Sequence, residues 1–516
     1  MPVMRHATPS GAALQRLVRP DTLWSIDDSE GAMANLQDRR KFYIDGEWVE
    51  PAKPHDLEVI DPSTEEAVAV ISLGDQADTD RAVAAAKAAL PGWSQITFAE
   101  RIAAVERIRD EYKARAKDMA AAISHEMGAP QDMSLGDQVG AGIYHIDNFL
   151  EAAEKFSDIK PLREDTDHAM VAWEPIGVVA AITPWNWPMN QVTLKVIPAI
   201  LGGNTVVLKP SEIAPLSSMV FAEIVDAAGL PKGVFNLVNG DGQGVGTQLS
   251  THKDVDMVSF TGSTRAGIAI TKAAADSLKK VVLELGGKGA NVVFADAVAE
   301  AAKRGARHCF YNTGQSCNAP TRMLVERSRY EQAIDEARQV AEETEVAIAH
   351  QPGKHIGPVV SKQQWEKIQD LIQQGIDEGA RLVAGGTGLP EGVNRGYFVR
   401  PTVFADVSND MTIAQQEIFG PVLSIIPFDS EEEAVEIAND TIYGLTNYVQ
   451  SSDGARRNRL ARQLRSGMVE MNGKSRGAGS AFGGVKASGR AREGGVMGLE
   501  EFMDSKAISG WDASQS

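Results

Sequence analysis

Apolar residues recur along this chain with two different periods. From Asp78 to about Phe156 the spacing is helical: Ile102, Val105, Ile108 and Tyr112 fall three or four positions apart, on one helix face. From Gly177 short apolar runs take over: "GVVAAIT", "NTVVLK", "GVFNLV", "DMVSF" and "KVVLEL". Segments of helical character separate them, "NQVTLKVIPAIL", "PLSSMVFAEIVDAAG" and "RAGIAITKAAADS". Strands alternating with helices at this cadence predict a parallel sheet covered on both faces. Such sheets bind ligands beyond the carboxyl ends of their strands. A second alternating region begins near Asn291, where "NVVFADA" leads into a helix ending near Tyr311. "TRMLVER", "PVLSIIPF", "LTNYVQS" and "GMVEMN" read as its further strands. No Ser/Pro-rich linker divides the regions, so two closely packed domains are expected.

Length agrees, since 516 residues exceed the roughly 250–300 that one hydrophobic core holds. Lys and Arg number 51 against 70 Asp and Glu, a net charge of −19. That balance argues against a nucleic acid or an acidic membrane surface as partner. No apolar run approaches the ~18 residues of a membrane helix. The only cysteines, Cys309 and Cys317, stand too close together to frame a fold with disulfides, so a reducing, cytoplasmic compartment is expected. No His/Cys spacing matches a metal site. The N-terminal "MPVMRHATPSGAALQRLVRP" has the charge bias of a targeting peptide. A disordered tail over residues 1–40, or an upstream start with the natural beginning near Met33, is the simpler expectation.

Chemistry concentrates in a few places. Cys309 follows His308 in a helical stretch, where neighbours in sequence do not face each other, and reads as a small core residue. Cys317 lies among Gly314, Gln315, Ser316 and Asn318 in a loop, where a thiol is accessible. Glu284 ends an apolar run before two glycines; a carboxylate there is costly unless it works, and burial lifts it toward general-base duty. Asn186 sits between two tryptophans just past a strand, where its amide can donate to an oxyanion. Gly262, Ser263 and Gly267 in "FTGSTRAG" open a helix and are expected to offer free N–H groups to a phosphate. Lys209 and Glu212 in "VLKPSE" stand at a strand end where a ribose could be held. "VNGDGQGVG" reads either as a nucleotide-facing turn or as a plain strand-to-helix turn.

"TPWNWP", "LKPSE", "FTGST", "LELGGK", "GQSC", "EIFGPV" and "FGGVKASG" occur in this order. On these motifs the chain resembles the aldehyde dehydrogenase superfamily, in its NAD(P)-dependent, non-phosphorylating, hydrolytic branch, from about Phe42 to Trp511. The resemblance implies an α/β fold: a Rossmann-like coenzyme-binding domain (41–158 and 176–285), an α/β catalytic domain (286–488) and a small β oligomerisation arm (159–175 and 489–516). It implies NAD as cofactor, an aldehyde as substrate and a homodimer or homotetramer. Cys317 matches the nucleophile, Glu284 the general base, Asn186 the oxyanion amide and Lys195 a proton-relay lysine. Lys209 and Glu212 match the adenosine-ribose clamp, Gly262 and Ser263 the pyrophosphate turn, and Glu417 and Phe419 the nicotinamide side. Coenzyme contacts are further implied at Ile182, Thr183, Pro184, Trp185, Ser211, Gly242, Gly246, Phe260, Thr261, Leu285 and Gly286. No metal is implied.

The chain departs from the family's pattern at Asn318, where Thr or a second Cys is frequent. Gln191, Leu194 and the small residues of "KSRGAGSAFGG" suggest a roomy, partly polar substrate tunnel. The implied reaction is oxidation of an aldehyde to the acid through a thiohemiacetal and thioester. The rival readings are an acylating, CoA-dependent semialdehyde dehydrogenase, which generally lacks a carboxylate at the Glu284 position, and a non-catalytic homologue.

Overall fold

A computed structural model describes residues 36–166 and 168–512. Two seven-stranded sheets dominate it, each mostly parallel with helices packed on it. In the first, the order across the sheet is Lys280–Glu284, Met257–Thr261, Val178–Ile182, Thr205–Lys209 and Phe235–Leu237, all parallel. Phe42–Ile44 and Glu47–Val49 extend it antiparallel. The chain runs outward from Val178–Ile182 in one direction, then returns to place Met257–Thr261 on its other side. The strand order therefore reverses between Ile182 and Thr261, where the connecting loops diverge and leave a crevice. "TPWNWP" and "GST" follow those two strands.

The second sheet orders Thr402–Ala405, Val422–Phe428, Arg322–Glu326, Ala290–Val293, Thr446–Gln450 and Met468–Met471 in parallel, with Arg381–Ala384 antiparallel at one edge. The middle strands of both sheets are buried on both faces, which is why they read as unbroken apolar runs.

The helical stretch resolves into helices Gln76–Gln95, Phe98–Ala114, Ala116–Met127 and Gly140–Lys155. Thr97 starts the second with a capping box: its hydroxyl accepts from Glu100 N at 3.2 Å, and Glu100 accepts from Thr97 N at 2.8 Å. Val105, Ile108 and Tyr112 bury its inner face, while Ile102 stays half-buried at the rim.

Ile159–Pro161, Ala169–Pro175 and Met503–Ser509 form a separate antiparallel three-stranded sheet. The C-terminal strand thus lies beside the expected arm, but residues 489–502 do not belong to it. Leu499, on the inner face of helix Gly495–Glu500, and Phe502, just past its end, pack in the core of the first domain. A fourth sheet was not anticipated: Gln37–Arg39, Glu66–Ser72 and Asp56–Asp61. Gln37–Arg39 pairs with Ala69–Ile71, so the end of the expected tail is ordered by backbone bonding that its polar sequence does not advertise. Residues 1–35 of that tail lie outside the described residues. No helix among the described residues is long and apolar enough to cross a membrane.

Candidate active site

The loop that carries Cys317 is built by an abrupt helix ending. Helix Ala301–Phe310 stops, and Asn312, Thr313 and Gly314 all take left-handed backbone, with φ of 53°, 55° and 71°. For Thr313, a β-branched residue, this is strained and needs outside support. The support is local and specific. Asn312 Nδ2 donates to the carbonyls of Asn186 at 3.0 Å and Gln315 at 3.1 Å. The Thr313 hydroxyl donates to Gly357 O at 3.0 Å, and Gln315 Oε1 accepts from Val360 N at 2.9 Å. A Cβ on Gly314 would lie 2.1 Å from Gly420 O, so only glycine fits. Cys317, two residues past Gln315, is thereby held half-buried on a fixed loop. A Cβ on Gly287 would lie 2.4 Å from the Cys317 carbonyl, so the "LGGK" turn packs directly on the Cys317 backbone.

Asn186 is buried beside this loop, and its amide donates to Gln315 O at 3.0 Å. One of the two amide N–H groups is engaged in fixing the loop; the second remains to meet an oxyanion. Glu284 ends strand Lys280–Glu284, and both its carboxylate oxygens are buried without a hydrogen-bond partner. Burial first, and then the charge of Glu493, hold its carboxyl well above the ordinary range, against Lys195 and Arg492. Burial also pushes the Cys317 thiol up to about 12, with Glu417, Glu284 and Glu493 adding to it and Arg476 opposing. The thiol is therefore protonated at neutral pH, and the buried Glu284 carboxyl lies in electrostatic reach of it.

Lys195, fully buried in helix Pro188–Leu201, donates to Thr261 Oγ1 at 2.7 Å and pairs with Glu493 Oε1. Glu493 Oε2 is buried and unpartnered, like Glu284. Sequence reading missed Glu493; it sits in a charged, glycine-rich stretch, "RAREGG", that gives no sign of burial. Cys309 is core, as its helical setting predicts: it is fully buried and its thiol donates to Val422 O at 3.5 Å.

At the strand ends of the first sheet, Lys209 donates to the carbonyls of Pro210 and Gly240 and stands 3.5 Å from half-buried Glu212. Ser211, Ile182, Thr183, Phe260, Thr261 and Leu285 are buried around this crevice, with Pro184 half-buried at the end of the same strand. Gly242 and Gly246 bound one wide helical turn capped by Asp241, whose carboxylate accepts from Gly244 N. Ser263 caps helix Thr264–Ala274. Two of the expected free amides are not free: Gly262 N donates to Glu284 O and Gly267 N to Ser263 O, both at 3.0 Å. The strand pairing and the helix itself claim them, so anion binding there falls to the first helical turn. Glu417 accepts from Gly287 N at 2.8 Å, and its carboxylate lies where a Cβ on Gly286 would clash, at 2.2 Å. Phe419 stands edge-on to Trp185 with ring centroids 5.3 Å apart.

Residues 48–508 match the aldehyde dehydrogenase family. The chain belongs to that family. It is 48% identical over 481 residues to the 3-succinoylsemialdehyde-pyridine dehydrogenase of a Pseudomonas species, covering 93% of this chain and 100% of that one. Among solved structures, an aldehyde dehydrogenase of Bartonella henselae is 62% identical with a TM-score of 0.92, over 92% of this chain and 100% of that one. Aldehyde dehydrogenase C of Pseudomonas syringae, solved as a cysteine-to-alanine mutant with NAD+ and octanal, is 45% identical with a TM-score of 0.90, over 92% and 97%.

This aldehyde dehydrogenase also has a recess of about 210 Å³ whose lining includes Asn291, His308, Tyr448 and Glu470. Tyr448 OH donates to the carbonyl of Asn318 at 2.7 Å, so the recess lies next to the residue after Cys317. Arg476, from the small-residue segment, pairs with Glu470 at 3.2 Å and lies over the Phe482 ring at 4.8 Å.

Proposed function

We propose that this aldehyde dehydrogenase oxidises an aldehyde to the carboxylic acid with NAD, through a thiohemiacetal and then a thioester on Cys317. A buried, unpartnered Glu284 carboxylate whose charge bears on the half-buried cysteine carries this reading. The crevice at the strand reversal fits the nucleotide. Glu212 offers a carboxylate for ribose hydroxyls beside Lys209, and a Cβ on Gly242 would meet nothing within 4 Å. Glu417 and the Trp185–Phe419 pair are assigned to the nicotinamide end, and Gly286 and Gly246 to the bare walls along the way. NAD, when bound, supplies the two-electron acceptor that aldehyde oxidation needs.

The chain's own residues do the rest. Glu284 takes the Cys317 proton, which a thiol of such raised pKa does not release by itself. The free Asn186 N–H and the Cys317 backbone N–H receive the adduct's oxygen. Glu284 gives up the cysteine's proton before hydrolysis; after oxidation it takes a proton from water, and the hydroxide so formed displaces the Cys317 thiolate as the acid leaves. Glu493, whose charge bears on Glu284 and which pairs with Lys195, is assigned to relay both protons out of the buried site.

The Pseudomonas relative is named for a pyridine semialdehyde, which supports a substrate longer than a small aliphatic aldehyde. The three-stranded sheet, with edge strands Ile159–Pro161 and Met503–Ser509, is assigned to assembly into a homodimer or homotetramer, and the protein to the cytoplasm. NADH production measured across a panel of aldehydes, without and with CoA, tests the reading. Acid formed without CoA is expected; strict dependence on CoA would favour the acylating alternative.

A further inference from the structure

We propose that Asp61, His125 and His350 form a binding site for one divalent cation of the zinc class, at the seam between the two α/β domains. The residues are distant in sequence, so no spacing betrays them, yet the fold brings their ligand atoms within 4.8 Å of one another. Asp61 ends strand Asp56–Asp61, His125 lies in the last turn of helix Ala116–Met127, and His350 follows helix Tyr330–Glu343. Both imidazoles address one carboxylate oxygen: His125 Nδ1 is 3.2 Å and His350 Nε2 is 2.5 Å from Asp61 Oδ2. The rings stack at 4.0 Å with 30° between their planes.

Two imidazole nitrogens and one carboxylate oxygen are the donors that zinc and its neighbours take, whereas magnesium and calcium want oxygen throughout. Bond lengths of about 2.0–2.2 Å place tetrahedral ligand atoms about 3.3–3.5 Å apart. The His125–Asp61 edge already has nearly that length; the His350–Asp61 edge must open by about an ångström. The remaining coordination can come from water, because the two imidazole side chains are 20% and 25% exposed while Asp61 is buried.

The ligands are also pre-positioned. Asp61 Oδ1, the other oxygen, accepts from Ser63 N at 2.8 Å, which fixes the carboxylate's orientation. Ser124, beside His125, donates to the carbonyl of Ala349, beside His350, at 3.2 Å. Ala349 N in turn donates to Ser63 Oγ at 3.1 Å. The three chain segments are thus laced together immediately next to all three ligands. An ion bound there ties the first domain to the loop that carries His350.

Zinc ion itself is the probe, titrated calorimetrically into metal-free, full-length Cys317→Ala protein, so that the catalytic thiol does not compete. One zinc per subunit is expected, with a rise in Tm on binding. His350→Gln and His125→Gln in the same background should each weaken binding at least about tenfold and abolish the rise in Tm. Cobalt(II) in place of zinc should give the visible absorption of a low-coordinate site. Absence of stoichiometric zinc in the folded Cys317→Ala protein, or unchanged affinity in both histidine variants, overturns the proposal.

Discussion

Lys195 and Glu493 form an ion pair sealed inside the protein, with the ammonium shared between Glu493 and Thr261 Oγ1. The pair joins helix Pro188–Leu201 to the segment that precedes the C-terminal strand, and it sets the field at Glu284. Removing one partner of a buried pair costs about 3–5 kcal/mol. Glu493→Gln should therefore lower Tm clearly. It also removes the charge that raises the Glu284 carboxyl, while Lys195, which lowers it, stays. The acid limb governed by Glu284 should then move to lower pH in the kcat profile. An unmoved limb, or one moved to higher pH, would show that Glu493 does not act on Glu284.

The two cysteines should separate cleanly. Cys317→Ala is expected to abolish NADH formation while NAD still binds, as equilibrium fluorescence titration would show. Cys309→Ala, in the core against Val422, should keep its activity and lose about 1 kcal/mol of stability in denaturant unfolding. A folded but inactive Cys309→Ala protein would contradict this assignment.

The sequence was most informative where function is written in consecutive residues. Cys317 and Glu284 stand out as candidates because a loop thiol and a carboxylate in an apolar run are locally conspicuous. The parallel sheets could be found because strands buried on both faces leave unbroken apolar runs. The left-handed path through Asn312 and Thr313 was not visible, since nothing local favours it; contacts from Asn186 and Gly357 impose it. The engagement of Gly262 N by the Glu284 carbonyl was hidden for the same reason: it depends on a neighbouring strand. The sheet containing Glu66–Ser72 did carry a signal, the β-branched and small residues of "EAVAVIS", which the nearby helical pattern overshadowed.

Coenzyme choice follows from Glu212. Its carboxylate beside Lys209 suits ribose hydroxyls, and a 2′-phosphate there would meet like charge in a confined place. NAD should exceed NADP in kcat/KM by more than roughly tenfold, about 1.4 kcal/mol. Glu212→Gln should narrow the gap, chiefly by lowering KM for NADP. Equal efficiency of the wild-type protein with both coenzymes would remove Glu212 from this role.

Two tasks are proposed for Glu284, and one variant tests both. Its oxygens carry no hydrogen bond in the folded protein, so Glu284→Gln removes proton acceptance without breaking a network. The amide cannot take a proton from water, and thioester hydrolysis should slow on the order of 10²-fold or more. Stopped-flow absorbance should then show an NADH burst approaching one per active subunit, followed by slow turnover. The Cys317 thiol, pushed up to about 12, loses its nearby base as well, so the burst should also be slower than in wild type. Its rate should rise with pH as solvent hydroxide substitutes for the carboxylate, while its amplitude stays near one. Exogenous thiols should speed the slow phase, because a thiolate attacks the stalled thioester without needing a general base. Wild-type steady-state turnover in Glu284→Gln would exclude Glu284 from hydrolysis, and a burst of normal rate at neutral pH would exclude it from activation of Cys317.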